Sequence, residues 1–210
     1  MNDLLGSITK EELNLLPVET FDGIIDVVET LDDFHRVLEI LNREEVIGFD
    51  TETKPVFTKG KRNKVALLQI ATSSTCYLIR LNCIGFPEGL TEFFNNEVLK
   101  VGLSIKDDFL MLRGRDHALE PKSFVELQSF VKDYGIADNS LQKIYAILFG
   151  KKLSKAQRLS NWEAEELSHG QKAYAALDAV ACRRIYLELK QNYTFKPLPV
   201  SEKPAPVALD

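Results

Sequence analysis

The sequence predicts an α/β domain built on one mixed, five-stranded sheet with helices on its faces. Three observations carry this reading. Residues 46–52, 65–71 and 76–79 are short apolar stretches rich in β-branched residues. Polar and turn-forming segments separate them, the pattern of a three-strand antiparallel meander. A strand-like run at 99–104 then leads directly into a helical pattern at 106–112, with another strand-like run at 123–127, so strand and helix alternate as in a sheet with parallel strands. Beyond residue 139 the pattern is helical, at 140–149 and at about 171–191.

Taken in order, Thr9-Lys10-Glu11-Glu12-Leu13 starts a short helix that Pro17 stops, and residues 1–20 are expected to be an N-terminal appendage. Gly23–Val28 is strand-like. Thr30-Leu31-Asp32-Asp33 has the form of a capping box, opening a helix whose apolar face is Leu31, Phe34, Val37, Leu38 and Leu41. The strand at 46–52 follows. The loop after it carries Lys54, Lys59, Lys61, Arg62 and Lys64 and no acid. Thr72-Ser73-Ser74-Thr75 turns the second meander strand into the third, Leu90–Phe94 suggests a short helix, and Gly150 ends the helix at 140–149. Trp162–Leu167 reads as a turn before the last helix. From Thr194 the chain carries Pro197, Pro199, Pro204 and Pro206 with little apolar content, and 194–210 is expected to be a disordered tail. Residues 21–193 form the domain.

Of 210 residues, 45% are hydrophobic and 27% charged, ordinary for a globular protein with a substantial core. No run of 18 apolar residues suggests a membrane span, and the N-terminus lacks a basic region followed by an apolar stretch, so a cytoplasmic protein without a membrane partner is expected. The net charge of −5 excludes a protein that coats nucleic acid through a broad basic surface. It leaves room for an enzyme whose acidic site is offset by bound cations. Cys76, Cys83 and Cys182 have no ligand-like spacing and read as reduced, buried thiols.

The chemistry gathers at acids. Side chains on a strand alternate, so Asp50 and Glu52 share a face, with Ile47, Phe49 and Thr51 on the other. Two carboxylates so placed repel unless a cation lies between them, and Mg²⁺ is a common answer. Asp107 and Asp108 both sit near the start of the helix that follows the fourth strand. Sites form at such strand ends, although acids also favour a helix N-terminus for its own sake. Tyr174 and Asp178 lie one turn apart on a helix of small residues, able to address one site together. An Asp on so apolar a helix needs a partner, a metal or a buried Arg.

Asp50-x-Glu52, Val101-Gly102 with Asp108 behind it, and Tyr174-x-x-x-Asp178 together resemble the DEDD superfamily of 3′→5′ exonucleases, tyrosine subclass. Lys64-Val65-Ala66-Leu67-Leu68-Gln69, Leu148–Leu153, Leu159-Ser160-Asn161-Trp162 and the text around Tyr174 are similar to Werner-type exonuclease domains, over about Ile24 to Tyr193. No helicase segment is read, so an exonuclease standing alone is expected. The resemblance implies a ribonuclease-H-like fold and places the third acid on Asp108. It implies that Asp50, Glu52, Asp108 and Asp178 hold two Mg²⁺ or Mn²⁺ ions, Asp50 bridging them, with Tyr174 positioning the attacking water. The implied partner is DNA or RNA with a free 3′ end. The histidine subclass is excluded by Ala173, and His35, His117 and His169 fall outside the motifs. Candidate substrate contacts are Thr51, Leu67, Lys61, Arg62, Lys155 and Trp162, with Lys151, Lys152 and Arg158 as further cations. For Leu67 and Trp162 a packing role competes. The rival readings are a ribonuclease-D-like enzyme trimming RNA or short oligonucleotides, and a non-catalytic nucleic-acid-binding scaffold of the same fold.

Overall fold

The computed structural model describes residues 5–58, 60 and 62–196. Helix α1 (Lys10–Leu15) precedes strand β1 (Ile24–Val28) and helix α2 (Leu31–Leu41), and the meander follows as β2 (Val46–Thr53), β3 (Val65–Ala71) and β4 (Thr75–Ile79). Two short helices, α3 (Leu81–Ile84) and α4 (Leu90–Asn95), lead to β5 (Leu99–Gly102), α5 (Ile105–Arg113) and β6 (Phe124–Glu126). Helices α6 (Leu127–Phe130), α7 (Leu141–Phe149) and α8 (His169–Asn192) complete the order.

The sheet has six strands, not five, in the order β1-β4-β3-β2-β5-β6. The added strand is β1, which pairs in parallel with β4 from Ile24↔Thr75 to Val28↔Ile79. Its partner lies far along the chain, so the sequence shows a strand-like run there but not its place in the sheet. β2–β3 and β3–β4 are antiparallel, while β2–β5 and β5–β6 are parallel.

One face of the sheet presents Ile47, Phe49, Leu68 and Ile70 to Phe34, Val37 and Leu41 of α2 and to Phe93 and Phe94 of α4. Burying large apolar side chains in this way stabilises the fold by about 1.5–3 kcal/mol each. On the other face lies α8, whose Ala175, Ala176, Ala179 and Ala181 are buried together with Ile185 and Leu189. Small side chains let it approach the strands closely. Gly48 marks the contact, since a Cβ there would stand 1.9 Å from the Ala179 carbonyl oxygen.

The segment expected as an appendage is fastened to this domain. Ile8 and Leu13 pack on Ala146 of α7, and Val18 bridges Lys152. Glu19, itself buried, accepts from the Tyr145 hydroxyl at 2.7 Å and from Lys151 Nζ at 2.8 Å. Cys76 and Cys182 are buried as expected, whereas Cys83 is exposed because it falls on the outer side of α3, a helix the sequence pattern did not reveal. Among the described residues no helix is long and apolar enough to cross a membrane. Residues 197–210 of the expected disordered tail lie outside the described residues.

Candidate active site

The two neighbours of strand β2 overlap only at Gly48. β5 meets it at Val46, Ile47 and Gly48, whereas β3 accompanies it as far as Thr53. The stretch carrying Asp50 and Glu52 therefore runs past the end of β5, and the crevice beyond the carboxyl ends of two parallel strands is a common place for a site. At Gly102 the chain leaves β5. A Cβ at Gly102 would meet Ile105 Cγ2 at 2.6 Å, so the turn into α5 needs glycine there. Ser104, at φ 63°, takes the left-handed conformation as the helix begins. Glu126, at the end of β6, holds that turn. Its carboxylate accepts the Ser104, Ile105 and Gln128 backbone N–H groups at 3.0 Å each. Charge-assisted bonds of this kind are roughly twice as strong as neutral ones. The first turn of α5 is thereby oriented so that Asp108 points inward, 8% exposed, while Asp107 faces solvent. The choice between the two acids follows from this rotation.

From the opposite face, α8 brings Tyr174 and Asp178. Its start is fixed by a capping box in which Ser168 accepts the Gln171 N–H and Gln171 accepts the Ser168 N–H. Gln171 also donates to the Asn161 carbonyl at 3.2 Å, tying the preceding turn to the helix. Because Gly48 lets α8 come down onto β2, one carboxylate oxygen each of Asp50, Glu52 and Asp178 lie within 4.8 Å of one another. Asp108 stands outside this trio, on the side of the strand where Thr51 projects, and its carboxylate accepts from the Thr51 hydroxyl. Its charge still bears on both Asp50 and Glu52.

Crowding and burial show in the titration of these groups. Burial raises Asp50 well above the carboxylate range, and the charges of Asp178, Asp108 and Glu52 raise it further. Glu52 is pushed up to about 8 by burial, then by Asp178 and Asp108. Asp178 rises to about 7 through burial, opposed by the Tyr174 hydroxyl and by Lys155. Asp108 rises to about 6 through burial, opposed by its bond from Thr51. Burial and the acids around it also raise Tyr174, which keeps its proton at neutral pH. Such a constellation asks for positive charge. Three carboxylates within 4.8 Å of one another, with Asp108 nearby, are hard oxygen donors that suit a small divalent cation.

Residues 25–193 match the family model described as 3′-5′ exonuclease. The chain belongs to the 3′-5′ exonuclease family. It falls in the DEDD superfamily. It is 38% identical over 157 residues to the mouse bifunctional 3′-5′ exonuclease/ATP-dependent helicase WRN, covering 71% of this chain and 11% of that protein. The chain thus spans a small part of this relative. The Aedes aegypti Nibbler EXO domain superposes with a TM-score of 0.76 at 25% identity, over 82% of this chain and 91% of that one. Escherichia coli RNase D, an exoribonuclease, shares the fold with a TM-score of 0.70 at 20% identity, over 79% of this chain and 44% of that one. These likenesses establish the ribonuclease-H-like fold.

A cleft of about 370 Å³ opens beside the acids, lined by Asp50, Asp178, Tyr174, Lys155 and Arg158. Gln128, Asn139, Ser140 and Gln142 form its polar wall. Those four, and Glu126, carry no signal in the sequence, because single polar residues in a loop, at a strand end or in the first turn of a helix follow no spacing that points to a site. The proposed substrate contacts scatter. Lys155 and Arg158 line the cleft, and Arg62 is exposed beside a second hollow with Lys54 and Asp107. Lys61 lies outside the described residues. Thr51 turns to Asp108 instead of into the cleft.

Leu67 and Trp162 are fully buried beneath α8, so neither offers a face to a base, and the packing role is the one observed. Trp162 instead lies 6.0 Å from the Tyr174 ring, centroid to centroid, and helps hold it in place. Lys151 pairs with Glu19, and Lys152 donates to the Asn14 carbonyl at 2.7 Å, so these two cations fasten the N-terminal segment. His35, His117 and His169 are exposed, and His169, at the start of α8, lines a hollow that also reaches Tyr174 and Asp178.

Proposed function

We propose that this chain is a metal-dependent 3′→5′ exonuclease that releases nucleoside monophosphates from the 3′ end of a nucleic acid, with DNA the favoured substrate. The observation that carries the reading is the convergence of Asp50, Glu52 and Asp178 within 4.8 Å, beside an open cleft that Asp50, Asp178 and a protonated Tyr174 line. The donor set fits Mg²⁺ or Mn²⁺: all four acids offer oxygen, and the one thiol nearby, Cys182, is buried and held protonated. Asp50, Glu52 and Asp178 would hold one ion, and Asp50 and Asp108 a second. The chemistry such ions supply when bound is Lewis-acid assistance to in-line displacement at phosphorus.

The chain's own groups account for the remaining requirements. Tyr174 acts as a hydrogen-bond donor that orients the attacking water, since its phenol stays protonated. In the reaction a bond forms between the water oxygen and phosphorus and the bond to O3′ breaks, leaving a new 3′-hydroxyl and a nucleoside 5′-monophosphate. Lys155 and Arg158 face the cleft that would take the terminal phosphate, and its volume of about 370 Å³ is in the range of small-ligand pockets. Backbone and end contacts of this kind carry no base code, so degradation is independent of sequence.

DNA is favoured on the resemblance of the motifs to Werner-type exonuclease domains, and a ribonuclease D among the sequence relatives makes RNA the second reading. The test is to incubate the protein with end-labelled single- and double-stranded DNA and RNA in Mg²⁺, Mn²⁺ or chelator. A metal-dependent ladder shortening from the 3′ end, lost in Asp50→Ala, is expected. No product under any metal would transfer the case to the scaffold reading.

A further inference from the structure

Gln69 lies opposite Asp50 in the β2–β3 register, the two residues being direct cross-strand partners. Their side chains therefore leave the sheet on the same face, toward α8, with Cβ atoms about 4.5–5.5 Å apart. Gln69 is 0% exposed, yet neither its Oε1 nor its Nε2 has a hydrogen-bond partner among the described residues. A buried amide with both ends unpaired is rare, and each such group calls for a physical account.

A second orphan lies in the same layer. The same-face neighbours of Gln69 on β3, Leu67 and Ala71, belong to the apolar cluster that contains Trp162. The Trp162 Nε1–H is likewise buried and unpaired among the described residues. The inventory of unpaired atoms is complementary. Trp162 has a donor only, while Gln69 has one acceptor and a donor amide. Asp50 has acceptor capacity to spare, its one hydrogen bond among the described residues coming from the Thr51 backbone N–H at 2.9 Å.

We propose that Gln69 is a positioning residue for the central metal-binding carboxylate. Its Oε1 accepts from the Trp162 indole N–H, and its Nε2 donates to Asp50, directly or through one bridging water. The chain of bonds forms when Asp50 is a carboxylate holding an ion. It also links the ion to Trp162, and so to the Tyr174 ring that Trp162 supports. Gln69 itself touches neither substrate nor ion. Partners of this kind orient a ligating group, and their loss commonly weakens metal binding by about 10–100-fold. The inference rests on the metal-dependent reading above.

The experiment uses the full chain and its single tryptophan. Mg²⁺ is titrated into wild type, Gln69→Leu and Gln69→Met, with the dissociation constant read by calorimetry and the Trp162 indole N–H resonance by NMR. The methionine variant keeps the side chain's length and loses both polar atoms, so it serves if the leucine variant fails to fold. In wild type the indole resonance is expected to move as Mg²⁺ binds. In either variant it starts elsewhere and no longer responds, and the dissociation constant rises about tenfold or more. Exonuclease rate in the variants recovers as Mg²⁺ is raised, which a merely loosened core would not do. A folded variant with wild-type Mg²⁺ affinity, or a wild-type indole resonance indifferent to Mg²⁺, would overturn the proposal. A wild type that binds neither Mg²⁺ nor Mn²⁺ would overturn the underlying reading, and the proposal with it.

Discussion

A single methyl group at Gly48 is expected to disable the site without removing any of its acids. A Cβ at that position would stand 1.9 Å from the Ala179 carbonyl oxygen and 3.0 Å from Arg183 Cβ, against backbone and side chain of α8. Real Cβ contacts are not found below 3.0 Å, so helix and strand must separate by about 1 Å or more. Ala179 adjoins Asp178, and Gly48 is two residues before Asp50, so the separation falls directly between two members of the trio. Misplacing reacting groups by about 1 Å costs on the order of 100-fold in rate. Overpacking of this kind also destabilises by about 1–3 kcal/mol, or roughly 2–12 °C in Tm at this size.

The assay is single-turnover degradation of a 3′-labelled strand at saturating Mg²⁺, with thermal melts alongside. Gly150→Ala is the control. Gly150 is also strained for an alanine, at φ 64°, but has nothing within 4 Å of its Cβ position and caps α7 away from the acids. It should lose about 1–2 kcal/mol of stability and keep its rate. A Gly48→Ala protein with a rate within about twofold of wild type would refute the argument that this close approach sets the carboxylate spacing.

Tyr174→Phe is expected to slow hydrolysis by about 10–100-fold while sparing Mg²⁺ affinity, because the phenol orients water instead of binding the ion; a full wild-type rate would sink that role. Glu126→Gln should weaken the grip on the first turn of α5 and lower activity through Asp108, by about tenfold, with amide exchange at Ser104 and Ile105 faster than in wild type; unchanged exchange there would argue against the clamp. Stability in chelator should fall as pH rises. The raised carboxylates of Asp108, Asp178 and Glu52, at about 6, 7 and 8, keep protons in the folded state that the unfolded chain has released above about pH 4. Their contribution is therefore full below that pH and is lost through pH 6 to 8. Melts at pH 5.5 and 8.5 should show the decline, and added Mg²⁺ should reverse it at the higher pH; a metal-free protein more stable at pH 8.5 would contradict the sign.

Much of this protein is written in its local sequence. The apolar stretches from Val46 to Ile79 and the glycine stop at Gly150 rest on interactions within a few residues, and each forms where it was expected. At Thr30 the helix starts as expected with the N-cap bond from the Asp33 N–H, but the reciprocal half of the capping box does not form, because the Asp33 carboxylate takes the Thr30 hydroxyl instead of its backbone N–H. The site acids were legible for the same reason. Asp50 and Glu52 share a strand face, Tyr174 and Asp178 share a helix face, and those periodicities hold whatever the surroundings. The cations were less legible, because a lysine's partner depends on the other side of the molecule. Lys151 meets Glu19, Lys152 meets Asn14 and Lys100 is fully buried with its ammonium on Asn96 and Val98, none of which any spacing announces.

What tertiary structure alone decided is how the pieces meet. It set the parallel docking of β1 onto β4 and the rotation of α5 that turns Asp108 in and Asp107 out. It also set the descent of α8 onto Gly48, which brings Asp178 to Asp50 and Glu52. These depend on contacts between segments far apart in the chain, whose energy is spread over many packed side chains and a few clamps such as Glu126. The sequence by itself determined which residues face a cleft in company. Only the packed sheet and its two flanking layers determined the distance between them, and with it the repulsion that makes this group of carboxylates receptive to a cation.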